Sequence, residues 1–112
     1  MSESIITEKS NAMIARIWHG RTRAADAGRY LEFLKQRAIP DYKSVPGNQG
    51  VYLLRRVEGG EAHFLTLTFW ESQQAIEGFA GTEIARAKYY PEDKDFLLEF
   101  EPTVTHSEVF TD

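Results

Sequence analysis

The sequence predicts an α+β fold of the ferredoxin-like β-α-β-β-α-β order, with four antiparallel strands and two helices, and three observations carry the prediction. Two β-prone runs flank a glycine turn at Glu58-Gly59-Gly60-Glu61, the chemistry of a tight hairpin. Apolar residues at helical spacing follow the first strand and, again, the third. The chain has 112 residues, enough for one core and too few for two.

In chain order, residues 1–12 lack a basic start and a long apolar stretch, so they read as a flexible arm rather than a signal peptide, and a single domain is expected over 13–112. Met13 to Trp18 is β-prone apart from Arg16 and is expected to be the first strand, broken by Gly20. Thr22 is an expected helix cap. Ala27, Tyr30, Leu31, Leu34 and Ala38 then share one helical face, and Pro40 is expected to end that helix near Ala38. Pro46-Gly47-Asn48 turns the chain into Val51-Tyr52-Leu53-Leu54, the second strand, and the third runs from about Ala62 to Phe69. Ser72 caps a second helix with Ala75, Ile76 and Phe79 on one face, weakened at Gly78 and Gly81 and resuming to Tyr90, where Pro91 stops it. Thr103 to Phe110 reads as the last strand.

Composition sets boundaries. Hydrophobic residues at 42% and charged residues at 27% are the proportions of a folded globular chain. A net charge of −4 offers no basic footprint, so nucleic acid and anionic membrane surfaces are not expected partners, and no stretch is apolar enough to span a bilayer. With no cysteine, thiolate metal sites, disulfides and cysteine nucleophiles are excluded, and the cytoplasm is the expected compartment. Both faces of the sheet look apolar: Ile14 and Trp18 lie opposite Met13, Ala15 and Ile17, and Phe64 lies opposite Leu65, Leu67 and Phe69. Helices cover one face, so a second copy of the chain is expected to cover the other, making a homodimer.

Trp70-Glu71-Ser72 after a β-rich strand, followed by Ala75-Ile76 and Phe79-Ala80-Gly81, resembles the antibiotic biosynthesis monooxygenase family of dimeric α+β barrels. The likeness covers about Met13 to Phe110, and it is nearest to short members with a Tyr-Tyr-Pro-Glu-Asp stretch, here Tyr89 to Asp93, and a terminal His-x-Glu-Val, here His106 to Val109. The resemblance implies a homodimer with a pocket in each copy between sheet and helices. It also implies a choice among oxygenases needing no flavin, metal or haem, haem-degrading enzymes, and proteins with no established reaction.

In a cofactor-free oxygenase an electron-rich phenol gives electrons to oxygen once deprotonated, so the protein supplies a base, an anion stabiliser and an aromatic cavity. Trp70 matches a tryptophan of the family's pocket, and Trp18, Phe79 and Tyr90 join it as expected substrate-binding residues; the plainer reading of Trp70 is a core anchor. Quinone-forming members have an asparagine four residues before this tryptophan, where this chain has Thr66. Arg86 is expected beside Tyr89 and Tyr90 on one helix face, where a cation lowers a phenol's pKa; the bland alternative is a solvated arginine and two half-buried tyrosines. His106, and after it His19, are the expected bases, each weighed against an ordinary structural histidine.

The histidines have no metal-binding spacing, neither glycine turn is a phosphate loop, and no nucleophile elbow is present, so no metal, cofactor or hydrolytic triad is expected. Three functions remain at this stage. The first is a cofactor-free monooxygenase, an oxidoreductase, acting on a small aromatic or polyketide-like molecule. The second is a non-enzymatic dimer that binds a small molecule or supports an enzyme. Haem binding or degradation ranks last, because Phe79 and Tyr89 stand where the resemblance implies a tryptophan and a histidine ligand.

Overall fold

The first strand, β1 (Met13–Arg23), lies inside a four-stranded antiparallel sheet, between β3 (Glu61–Trp70) and β4 (Thr105–Val109). The edge beyond β3 is β2 (Asn48–Glu58), giving the order β2-β3-β1-β4. The computed structural model of the chain describes residues 13–110, and the expected arm of residues 1–12 lies outside them. Alternation decides the two faces. Ile14, Arg16, Trp18 and Thr22 of β1 and Ala62, Phe64, Thr66, Thr68 and Trp70 of β3 point to the helical layer and are buried. Ile17, His19, Leu65, Leu67 and Phe69 point the other way and are half-buried.

That helical layer is α1 (Ala27–Phe33), a π-helical turn over Leu34–Ala38, α2 (Ile39–Lys43) and α3 (Gln73–Ala80). Tyr30, Leu34, Ala38 and Tyr42 form its buried stripe against the sheet. Among the described residues no helix is long and apolar enough to cross a membrane.

Several boundaries differ from the expectation, each for a local reason. The first strand runs through Gly20 to Arg23: a Cβ on Gly20 would fall 2.5 Å from the Trp18 ring, so this glycine makes room for the indole instead of breaking the strand. Thr22 caps nothing, being a fully buried strand residue paired with Ala62. The helical layer also continues past Pro40. In the wide turn before it the Ile39 N–H reaches back five residues to the Leu34 carbonyl, which relieves the ladder where the proline ring would crowd it.

The second helix stops at Ala80 and does not resume. Ser72 accepts from the Ala75 N–H at 3.1 Å, as a cap should, but Gly81 adopts φ +86° and turns the chain away. The following backbone pairs with the run into β4, through Ala87 N–H to Pro102 carbonyl at 2.9 Å and Val104 N–H to Ala85 carbonyl at 2.8 Å. Pro91 therefore opens a 3-10 helix, Pro91–Asp95, rather than ending an α-helix.

Candidate functional site

A cavity lies between the helix-side face of the sheet and the layer above it. Trp18 and Thr66 form its floor, Tyr30, Leu34, Ala38 and Tyr42 one wall, and Lys88, Tyr90 and Asp93 the other. Its space outside atoms is about 240 Å3, most of it at the mouth, and the enclosed part admits about one water. The wall must therefore move to admit anything larger.

Two hydrogen-bonded sets hold the polar lining in place. Lys88 donates to Asp41 Oδ2 at 3.1 Å and to the Phe79 carbonyl at 3.3 Å, with its ammonium 4.2 Å from the Phe79 ring centroid. Tyr90 donates its hydroxyl to the same Asp41 oxygen at 2.6 Å. Burial pushes the Asp41 carboxyl up, but the hydrogen bonds from Tyr90 and Lys88 outweigh it and hold the group below the usual carboxylate range. In the second set Tyr30 donates to Asp93 Oδ1 at 2.7 Å, and the Tyr90 N–H donates to Asp93 Oδ2 at 2.7 Å. Burial raises the Asp93 carboxyl, and burial beside a carboxylate raises the phenols of Tyr30 and Tyr90.

Tyr42 and Thr66 share one hydrogen bond at 3.1 Å, so of their two hydroxyl protons one closes the pair and the other is available. Thr66 occupies the position where quinone-forming relatives are expected to carry asparagine, and it does line the cavity.

Trp18 and Tyr90 are the two expected site residues on the cavity wall itself. Phe79 stacks behind Tyr42 at 4.3 Å between centroids, and Tyr89 meets Trp18 edge-on at 6.2 Å. Trp70 is 0% exposed and donates its indole N–H to Thr68 at 2.8 Å, one layer behind the cavity. Arg86 does not stand beside the tyrosines on a helix face, because that helix is absent; its side chain is exposed and pairs with Glu83. Nor is either tyrosine acidified. Tyr89 is raised by burial and donates to the Glu101 carbonyl.

The two histidine candidates lie on opposite faces. His19 is on the outer face, bonded to Glu101 at 2.6 Å and to His63 at 3.0 Å. His106 is on the inner face opposite Arg16, with its buried Nε2 unpartnered, and burial first and Arg16 second hold it below the usual histidine range. Sequence reasoning passed over Tyr42, Lys88, Asp41 and Asp93. Only Asp93 had a visible signal, as the last residue of the Tyr-Tyr-Pro-Glu-Asp stretch.

The model of the antibiotic biosynthesis monooxygenase family matches residues 13–88. The chain belongs to the antibiotic biosynthesis monooxygenase family. Among solved structures, a protein of unknown function from Nitrosomonas europaea is 13% identical with a TM-score of 0.68, over 93% of this chain and 95% of that one. A monooxygenase from the gene ActVA-Orf6 of Streptomyces coelicolor, solved with nanaomycin D, is 13% identical with a TM-score of 0.59, over 97% and 96%. The haem degrader MhuD of Mycobacterium tuberculosis, solved with two haems in its active site, is 28% identical with a TM-score of 0.55, over 88% and 97%. A search of the curated proteins finds no match. Family membership fixes the fold and makes a monooxygenase-type function the first reading of the cavity.

Proposed function

We propose that this family member is a cofactor-independent monooxygenase for a small aromatic or polyketide-like molecule, working as a homodimer with one cavity in each copy. The observation that carries the reading is the cavity lining, in which the rings of Trp18, Tyr42 and Tyr90 share one space with Lys88 and the Tyr42–Thr66 hydroxyl pair. Rings of this kind flank a flat substrate. Lys88 has spent two of its three N–H donors among the described residues, so the third, with the spare hydroxyl proton, is available to an oxyanion.

A deprotonated hydroxyaromatic supplies the electrons. An activated CH2 between rings becomes a carbonyl as one atom of O2 enters the carbon, while the other takes up the two hydrogens lost from that carbon and leaves as water. His106, the expected base, lies opposite Arg16 on the neighbouring strand and behind the cavity lining, so it serves as base only once the wall of Tyr42 and Lys88 moves aside. The apolar outer face supports pairing of two copies, as is common in the family. The test is oxygen uptake with a panel of anthrones and dihydroxynaphthalenes. Protein-dependent uptake with one quinone formed per O2 is expected, and rates equal to the protein-free blank across the panel would dispose of the reading.

A second reading, a non-enzymatic small-molecule-binding or accessory dimer, is favoured by one observation: Trp70 is sealed behind the cavity with its N–H already satisfied. It predicts binding of the same compounds without turnover. Haem binding has less support, because a space for about one water would have to open much further, and a titration is expected to leave the haem Soret band unshifted.

A further inference from the structure

Arg16 is 1% exposed, yet among the described residues no carboxylate pairs with it. Of its five N–H donors, one meets the Arg86 carbonyl at 3.1 Å, another faces the Tyr42 phenol oxygen, and the buried Nε–H has no acceptor among the described residues. A buried cation of this kind is costly unless something compensates it. Its surroundings are those of a ligand site rather than of a structural ion pair. The guanidinium lies 5.4 Å from the centroid of the Phe79 ring, beside the Tyr42 phenol and across the strand from His106, whose Nε2 is also buried and unpartnered. Two positions along β1, the Trp18 indole N–H is also buried, near the Tyr89 hydroxyl but with no hydrogen bond of normal geometry among the described residues.

Lys88 shows what a compensated cation looks like in the same place. It shares the Phe79 ring with Arg16, but Asp41 neutralises it. Tyr42 and Lys88 both line the cavity and both adjoin Phe79, so they separate the cavity from Arg16 by one layer of side chain. Lys88 has a flexible stem, and a ligand that reaches the guanidinium must pass beside it. Asp93 forms no ion pair with Arg16 among the described residues; its carboxylate accepts from Tyr30 and the Tyr90 N–H instead.

We propose that Arg16 is the anion-recognising residue of this cavity, and that the ligand is an aromatic molecule carrying an ionised oxygen, an enolate, phenolate or carboxylate. The inference rests on the aromatic-cavity reading above and narrows it. An unpaired guanidinium with a free Nε–H selects a charged oxygen over a neutral ether of the same shape, because only the former supplies the missing countercharge.

The test pairs two probes of nearly equal shape, 2-hydroxy-1,4-naphthoquinone, an anion at neutral pH, and its neutral 2-methoxy ether. Calorimetric titration at pH 7 is run on the parent and on Arg16→Met and Arg16→Lys. The parent is expected to prefer the anion by about tenfold or more. Arg16→Met should bind both alike, and Arg16→Lys should keep most of the preference. Equal binding of the two probes by the parent, or an unchanged preference in Arg16→Met, overturns the role of Arg16 and leaves the aromatic cavity standing. Failure of the parent to bind either probe overturns both. Lys88 also faces the cavity, so the parent's preference alone does not assign the role. If Arg16→Met does not fold, Arg16→Gln is read in its place and should lose the preference, and an unchanged preference there overturns the role of Arg16.

Discussion

The two faces of one sheet are built from alternate residues of the same strands, yet they solve opposite problems. The inner face buries polar groups: Arg16, Thr66 and Thr68 lie among Trp18, Phe64 and Trp70, and most are matched by hydrogen bonds to neighbours. The outer face carries Ile17, Leu65, Leu67 and Phe69, with Tyr52 and Leu54 exposed beside them, and it ends on the His19–His63–Glu101 cluster. Placing polar groups where water is excluded and apolar ones where it is not is the arrangement expected when the inner face receives a ligand and the outer face a second subunit.

The contrast is broken hardest at Trp18. Truncation to Ala is expected to cost about 3–5 kcal/mol of folding stability, as for other buried large aromatics, read by chemical denaturation. A loss under about 1 kcal/mol would mean the indole is not part of the core. Gly20→Ala should cost about 1–3 kcal/mol, because the added methyl meets the Trp18 ring within van der Waals distance. Trp18→Phe should relieve part of that cost in the double variant, whereas a simple strand-breaking role for Gly20 predicts a gain.

A smaller effect is expected at Asp41 and has a definite sign. Its carboxyl is held below its unfolded value, so its stabilisation is present above a pH of about 4 and is lost as pH falls through the folded value. The stability gap between the parent and Asp41→Asn should therefore shrink from pH 6 to pH 3 in acid titrations followed by circular dichroism. A gap that widens toward acid would contradict the hydrogen-bond assignment. The smallest change belongs to the outer face. Tyr52 is 53% exposed, so Tyr52→Ser should alter the stability of an isolated subunit by no more than about 0.5 kcal/mol while weakening self-association in sedimentation. A loss as large as that of Trp18→Ala would erase the distinction between the faces.

The order of elements and the sidedness of the sheet were legible because alternation and hairpin chemistry are local signals. Gly20 and Pro40 misled because a glycine can serve a neighbouring ring and a π turn can carry a helix past a proline. The stretch after Gly81 misled because its backbone partners lie at residues 102–104, which periodicity cannot show. The site was legible to the extent that it is aromatic, in Trp18 and Tyr90. Its polar groups meet across the fold, Lys88 with Asp41 over 47 residues and Tyr30 with Asp93 over 63, and no spacing rule reaches that far. Arg16 stood out in the first strand only as an exception to its pattern.

The most direct measurement is a heteronuclear NMR titration with 2-hydroxy-1,4-naphthoquinone, following the indole N–H signals of the chain's two tryptophans. The Trp18 signal should move on binding, because its N–H lies buried without an acceptor among the described residues, in a side chain that lines the cavity, while the Trp70 signal, tied to Thr68, stays nearly still. Shifts confined to the outward-pointing side-chain methyls of Leu65 and Leu67, with both indoles unmoved, would place the ligand on the wrong side of the sheet.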